Sequence, residues 1–134
     1  EDFKSRVAGR GMGGQVSLLG MQPARQALGK GRCVLVPSLK ESLPYVVLEA
    51  AAAGRPVLAT NVGGIAEIYG PTAGSLLPPG NSEVLRQAMQ AFIGDPDAAS
   101  REAEVRREHV RAHFSVEQMV TGIETLYRQV LGRG

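Results

Sequence analysis

The fold of this protein is decided by residues 33–60, which read CVLVPSLKESLPYVVLEAAAAGRPVLAT. Two apolar runs, residues 33–36 and 56–60, flank a segment that starts at Pro44 and carries a run of alanines before Gly54. Short apolar runs bounded by proline or glycine are typical of buried strands, and proline at the start of an alanine-rich segment is typical of a helix. The stretch therefore predicts a strand, a helix and a second strand of a parallel sheet.

The same alternation continues on both sides of this stretch. Upstream, residues 16–19 form an apolar run between glycines, and residues 23–30 carry helix formers. Downstream, residues 65–69 predict a short helix and residues 75–77 a short fourth strand. The strands at 16–19 and 33–36 are expected to be buried on both faces, as in sheets covered by crossover helices. The fold class that follows is α/β, with a parallel sheet and helices on its faces.

From Ser82 onward the sequence predicts helices only. The first helix carries one apolar stripe, residues 95–97 interrupt it, and a charged second helix follows over residues 97–112. Ser115 and Gln118 fit a capping box at the start of a third helix, whose apolar face must dock on something. The two apolar faces consist of Val84, Leu85, Ala88, Met89, Phe92 and Ile93, and of Met119, Ile123, Leu126, Tyr127, Val130 and Leu131.

Composition limits the class of protein. The chain has 134 residues, 43% apolar and 21% charged, which fits one globular domain and leaves no room for two full α/β domains. Its net charge of +2, with acids and bases interleaved over residues 101–111, does not point to nucleic acid as a partner. The single cysteine, Cys33, predicts a buried free thiol in a reducing compartment. No apolar run reaches the length of a membrane span, so we expect a soluble, cytoplasmic chain.

Three short motifs have structural interpretations that fit their context better than functional ones. The G-x-G-x-x-G spacing in residues 9–14 follows a possible helix instead of a strand, which argues against a dinucleotide site and for a loop. The D-x-D of residues 95–97 matches a pattern that holds divalent cations, but a proline helix stop with an aspartate at the start of the next helix accounts for all three residues, so no metal site is expected. His109 and His113 have a spacing that could serve one metal, but nothing completes such a site, so a solvated helix face is expected.

Glu41 and Glu49 form the one pattern in which several requirements coincide. Glu41 lies in the loop after a predicted strand, and Glu49 lies in the apolar helix that follows this loop. Ligands of open α/β sheets bind at the carboxyl ends of strands, and a free helix N-terminus favours phosphate. Carboxylates on both sides of such a helix start would suit a diphosphate ligand with hydroxyl groups, such as a sugar nucleotide. On spacing alone, a solvated Glu41 and a water-facing Glu49 explain the sequence equally well.

The two glutamates, separated by seven residues, resemble the E-x7-E signature of the family 4 retaining glycosyltransferases of GT-B fold. The sequence of residues 41–54 most resembles the corresponding segment of bacterial enzymes of cell-surface or exopolysaccharide synthesis. Further segments that resemble the family are residues 16–20, 54–60, 63–67 and 74–80, and the closing Phe114, Ser115 and Tyr127.

The resemblance implies a donor site for a nucleoside diphosphate sugar in a Rossmann-like domain. It assigns Glu41 as the catalytic contact to the donor sugar, and Glu49 as the acceptor of hydrogen bonds from the ribose hydroxyls. It also implies retention of anomeric configuration, with no metal and no other cofactor. The donor-binding residues implied are Ser42, Leu43, Pro44, Tyr45, Val46 and Glu49, with the backbone amides of residues 43–46 holding diphosphate and sugar.

The departures from the family pattern are equally informative. The family's C-terminal domain begins with two further strands, and a loop there carries an arginine and a lysine that clamp the diphosphate; neither is found in this sequence. Residues 1–134 are therefore expected to be an incomplete C-terminal, nucleotide-sugar-binding domain, with residues 82–134 as its helical part. We expect these residues alone to transfer no sugar, and expect the full-length enzyme to be cytoplasmic and peripheral at the inner membrane face.

Two other functions are consistent with the sequence. One is a sugar nucleotide epimerase on the same double-Rossmann plan, in which histidine and acidic residues outside the E-x7-E segment would do the chemistry. The other is a non-catalytic binding or interaction module that presents its C-terminal helices. In the resembling family the last helix braces the amino-terminal acceptor domain. Without that domain, its apolar face is expected to be exposed and to favour self-association.

Overall fold

The apolar runs at 33–36 and 56–60 form paired strands in the computed structural model, which describes residues 2–132. Strand β1, Val34–Val36, and strand β2, Val57–Ala59, run parallel, with Val34 opposite Val57 and Val36 opposite Ala59. Beyond β2, Thr60 makes an isolated parallel bridge to Leu77. The predicted strand, helix and strand of a parallel sheet are confirmed.

Helices account for most of the remaining regular structure, which confirms the α/β class. Within residues 2–132, no helix combines the length and the apolar character that crossing a membrane requires. In chain order, the helices are α1 Phe3–Gly9, α2 Ala24–Leu28, α3 Tyr45–Ala52, α4 Ile65–Tyr69, a 3-10 helix Gly70–Ser75, α5 Ser82–Gly94, α6 Pro96–His113 and α7 Val116–Val130.

The core lies on one face of the small sheet. Alternate strand residues point to this face, α3 packs against it, and α4 and α6 pack against α3 and complete the core. Small side chains on α3 allow that helix to lie close to the sheet and to α6. The core is composed of Val36, Val47, Ala50, Ala51, Val57, Ala59, Ile65, Ile68, Tyr69 and Val110.

The opposite face of the sheet is only partly covered. Leu58 lines a groove with Ala88 and Phe92 of α5, whereas Leu35 on β1 remains 42% exposed. Cys33, just before β1, is half-buried, and burial raises the pKa of its thiol. The expectation that residues 33–36 are buried on both faces is therefore wrong, because within residues 2–132 no element covers Leu35.

Two of the predicted strands are not present as strands. Residues 16–19 are irregular, and Leu18 and Leu19 are exposed. An isolated apolar run cannot form a strand without a neighbour for its backbone hydrogen bonds, and none of the described residues pairs with it. Of residues 75–77, Ser75 ends the 3-10 helix and only Leu77 makes a bridge. Here the predicted strand is reduced to a single bridged residue.

Helix α6 is anchored through a buried arginine. Arg106 is 1% exposed and lies over the ring of Tyr69, with the guanidinium carbon 3.7 Å from the ring centroid. It donates to Thr72 Oγ1 at 3.1 Å and pairs with Glu102. The Tyr69 hydroxyl donates to the Val57 carbonyl at 2.8 Å, so one chain of contacts joins α6, α4 and the sheet.

The C-terminal helices begin where the sequence predicted. Asp95 caps α6 by accepting the Ala98 amide at 2.9 Å, and Ser115 and Gln118 form the predicted capping box of α7. The predicted apolar stripe of α5 is only half-buried, and Ile93 is 74% exposed. The apolar face of α7 is exposed among the described residues, as expected.

Candidate functional site

Two loops meet at the carboxyl ends of the paired strands. One follows β1 and leads to α3, and the other follows β2 and leads to α4. The Thr60 hydroxyl donates to the Ser38 carbonyl at 2.6 Å, and the Gly64 amide donates to the Ser42 carbonyl at 2.6 Å. These cross-links hold the segment that contains Glu41 and Ser42 in a defined position at the edge where ligands of parallel sheets bind.

Glycine is required where the two loops touch. Gly63 has φ +53°, and a Cβ built there would lie 2.7 Å from the Ser42 carbonyl oxygen and closer still to that of Glu41. A Cβ at Gly64 would lie 3.0 Å from the same Ser42 oxygen. Any larger residue at Gly63 would push the loop of Glu41 away, so these glycines set the backbone geometry of the candidate site.

Glu41 is half-buried in the loop after β1. Its Oε1 accepts a hydrogen bond from the Ser38 hydroxyl at 2.7 Å, and its second oxygen accepts none from residues 2–132. The serine therefore orients the carboxylate and leaves one oxygen available. A carboxylate held in this way can accept a hydrogen bond from a ligand or interact with a positive charge that develops beside it.

Helix α3 begins at this edge with free backbone donors. Pro44, predicted as the first helical residue, is the N-cap, so the helix begins one residue later, at Tyr45; the Pro44 carbonyl accepts from the amides of Val47 and Leu48. The amides of Tyr45 and Val46 donate to no acceptor within residues 2–132. Both side chains are exposed, so the start of the helix is open. Free amides and the helix dipole together favour an anion at this point.

Glu49 lies further along α3, on its exposed side. The buried side of the helix carries Val47, Ala50 and Ala51, so Glu49 faces water and its carboxylate needs no buried partner. It lines a surface depression of about 590 Å³ between α2 and α3, together with Arg25 and Arg55. Any role proposed for Glu49 therefore rests on its position beside this depression and not on burial.

Glu41 and Glu49 do not share a depression. Glu41 lines neither the depression beside Glu49 nor a second one of about 540 Å³ at the strand ends, which Pro37, Thr60 and Arg6 border. Ser42 and Leu43 lie against the loop of Gly63 and Gly64 instead. The predicted residues thus form two groups, at the loop and on the helix, with the start of α3 between them.

Sequence reasoning did not predict the arginines at these two depressions. Arg6 lies on α1, Arg25 on α2 and Arg55 after α3. No sequence pattern distinguishes these arginines from the other basic residues. Only the packing of α2 against α3 brings Arg25 to the depression beside Glu49. The nearest sequence signal was an arginine in the first turn of the helix predicted over residues 23–30.

The discounted motifs have structural roles. Residues 9–14 end α1 and continue as a turn, with no strand before them among the described residues. His109 is packed, contrary to the predicted solvated face: its Nε2 lies 2.9 Å from the Glu67 carbonyl, and its ring stacks on His113 at 4.5 Å. In the part of the chain that the structure describes, no three His, Cys, Asp or Glu side chains form a cluster that could hold a metal.

Comparison with known proteins identifies the family of this chain. Residues 1–95 match the family described as glycosyl transferases group 1. The chain is 30% identical over 135 aligned residues to the lipopolysaccharide core biosynthesis mannosyltransferase LpcC of Rhizobium leguminosarum, covering 98% of this chain and 38% of that protein. It is 37% identical over 121 residues to the N-acetyl-alpha-D-glucosaminyl L-malate synthase of Bacillus anthracis, covering 87% of this chain and 31% of that protein.

A solved structure has the same fold. The sucrose-phosphate synthase of Thermosynechococcus elongatus superposes with a TM-score of 0.84 at 29% identity, over 98% of this chain and 34% of that one. The chain thus spans about a third of the length of these relatives. Because the family match extends over more than half of the sequence, the chain belongs to the glycosyl transferases group 1 family.

Proposed function

We propose that this chain forms the nucleotide-sugar side of a retaining glycosyltransferase. The observation that carries the proposal is the open start of α3, held beside Glu41 by the two cross-linked loops. The backbone amides of Leu43, Tyr45 and Val46 bind the diphosphate and sugar, and Ser42 and Pro44, which lacks an amide hydrogen, shape that turn. A diphosphate there is stabilised by amides and helix dipole, so the proposal includes no metal and no other cofactor.

In this proposal Glu41 and Glu49 have different roles. Glu41, with one oxygen held by Ser38, directs the other toward the donor sugar beside the reacting carbon. Glu49, on the exposed side of α3, accepts hydrogen bonds from the ribose hydroxyls. Diphosphate and ribose are adjacent groups of one ligand, and the start of α3 and Glu49 are adjacent parts of one helix.

The whole protein, in our proposal, transfers the sugar to an acceptor in cell-surface or exopolysaccharide synthesis. Support comes from the relative that is named for lipopolysaccharide core biosynthesis. An acceptor domain would cover the apolar face of α7, which includes Ile123 at 47% and Leu126 at 61% exposure. The 134 residues alone should therefore self-associate through that face. Without an acceptor domain, they should also turn over no sugar nucleotide.

Titration calorimetry with UDP, GDP and ADP sugars tests the donor site. Loss of a hydrogen bond to a charged group corresponds to roughly 10- to 100-fold weaker binding, which we expect for Glu49→Ala with every nucleotide that binds. Glu124→Ala is the matched control, since Glu124 is an exposed glutamate on α7. Equal affinities for the protein and the Glu49→Ala variant would refute the ribose role.

A further inference from the structure

A buried threonine ties the loop that carries Glu41 to the sheet. Thr60 is 4% exposed, and its hydroxyl donates to the Ser38 carbonyl at 2.6 Å. The Val36 carbonyl lies farther from the same hydroxyl, at 3.5 Å, so the single hydroxyl proton goes to Ser38. Within residues 2–132, this is the one hydrogen bond that joins residues 37–41 to another part of the chain.

Thr60 itself has a fixed position, because its backbone is held from both sides. Its amide donates to the Val36 carbonyl at 3.3 Å, and on the other side the residue makes the parallel bridge to Leu77. A β-branched side chain has a restricted χ1, so the position of the hydroxyl is restricted as well. Leu39 and Lys40, which follow Ser38, are both exposed, so packing contributes little to the position of this part of the loop.

Ser38 connects Thr60 to Glu41. Its carbonyl accepts from Thr60, and its hydroxyl donates to Glu41 Oε1 at 2.7 Å. The hydroxyl of Ser38 can hold the carboxylate in one place only if the backbone of Ser38 is itself held. Without the hydroxyl of Thr60, the Glu41 side chain would have to be ordered when a ligand binds, and this ordering weakens binding.

We propose that Thr60 is a positioning residue for the donor sugar, which it affects through Ser38 and Glu41. This inference rests on the proposed function, because it takes Glu41 to contact the sugar. The effect is confined to the sugar part of the ligand. The Ser42 carbonyl is held separately by the Gly64 amide at 2.6 Å, so the amides proposed for the diphosphate do not depend on Thr60.

Titration calorimetry compares UDP, GDP and ADP with UDP-glucose, GDP-mannose and ADP-glucose. Thr60→Val and Thr60→Ala both remove the hydroxyl, and Ser38→Ala removes the bond to Glu41. For the nucleotide sugar that binds most tightly, we expect each variant to weaken binding by about 2- to 12-fold, the effect of ordering one free side chain. The affinity of the corresponding nucleoside diphosphate should not change. Thr60→Ser keeps the hydroxyl and should restore the affinity for the nucleotide sugar.

Thr72→Val is the matched control. Thr72 also has a partly buried hydroxyl that donates to a carbonyl, that of Tyr69 at 2.8 Å, but it lies away from the loop of Glu41. Its replacement should leave the affinities of both kinds of ligand unchanged, and circular dichroism checks that each variant is folded. In a double-mutant cycle, Thr60→Val should cause no further loss when Glu41 is already alanine, because its effect passes through Glu41.

The outcomes separate this inference from the proposed function. Equal weakening of nucleoside diphosphate and nucleotide sugar in the Thr60 variants, a loss that Thr60→Ser does not restore, or the same loss in Thr72→Val would overturn the positioning role. Additive losses with Glu41→Ala would also overturn it. If Glu41→Ala weakens the nucleotide sugar while Thr60→Val and Thr60→Ala do not, the inference fails alone. If Glu41→Ala has no effect, the proposed role of Glu41 fails and the inference fails with it.

Discussion

Replacing Gly63 with alanine should separate the two loops of the candidate site. The new Cβ would lie 2.7 Å from the Ser42 carbonyl oxygen and nearer to that of Glu41, where backbone leaves no room to move. Overpacking of this kind costs about 1–3 kcal/mol, and the left-handed φ of +53° adds about 1–2 kcal/mol. A gain of about 0.4–1 kcal/mol through the unfolded chain offsets part of this. The net loss in free energy of unfolding should be about 1–5 kcal/mol.

Gly20→Ala is the matched control for this change. Gly20 has φ +66°, yet a Cβ built there meets nothing within 4 Å, so it carries the backbone strain without the contact. Urea unfolding followed by circular dichroism should give Gly63→Ala a loss larger than that of Gly20→Ala by about 1–3 kcal/mol. Nucleotide affinity should fall only in Gly63→Ala, because only this variant displaces Glu41 and Ser42. Equal stability of the two variants would refute the close contact between the loops.

Two further predictions concern the contacts that anchor α6. Arg106→Met removes a desolvated cation–π contact and the hydrogen bond to Thr72. It should lower the free energy of unfolding by about 1–3 kcal/mol in urea titrations. Replacing the exposed Arg101 with methionine should change the free energy of unfolding little, and equal effects of the two substitutions would argue against a specific anchor. Burial raises the pKa of Tyr69 to about 12, above its unfolded value near 10, so its contribution is complete below pH 10 and is lost as the pH rises toward 12. The Tyr69→Phe variant should be less stable than the parent protein at pH 8, because it leaves the Val57 carbonyl unpaired. Between pH 10 and 11 the variant should lose less stability than the parent. An equal decline in both proteins would contradict the role of Tyr69 ionisation in this loss.

Much of the fold could be predicted because its signals are local. A proline before an alanine-rich segment predicted α3 almost to the residue, and the capping box at Ser115 predicted the start of α7. A cap is formed between residues three positions apart, so it depends little on the rest of the chain. The same holds for Asp95, which caps α6 where a metal site was the alternative.

The prediction of a strand at residues 16–19 is wrong because a strand depends on residues that are distant in the sequence. Hydrophobic runs predict that a segment favours burial, but a strand also needs a neighbour in the right place to accept its backbone hydrogen bonds. Leu35 on β1 had the same signal as Val36, yet it is exposed while Val36 is buried. Composition alone cannot distinguish the two faces of a strand when only one of them is covered.

The candidate site also combines features that neighbouring residues determine with features that depend on distant residues. Glu41, Glu49 and the start of α3 were read from one continuous segment, because a loop and the helix after it are joined by the chain itself. The pairing of Ser42 with Gly64, and the position of Arg25 beside Glu49, join residues that are more than twenty positions apart.

The sequence by itself determined the α/β class, the starts of the α-helices from α3 onward to within one residue and the segment that carries the two glutamates. Only the tertiary structure decided that Arg106 is buried, that Glu49 faces water and that the loops after β1 and β2 are cross-linked. The physical reason is that helix starts and apolar runs are properties of neighbouring residues. Burial and hydrogen-bond partners depend on which distant segments the packed helices bring together.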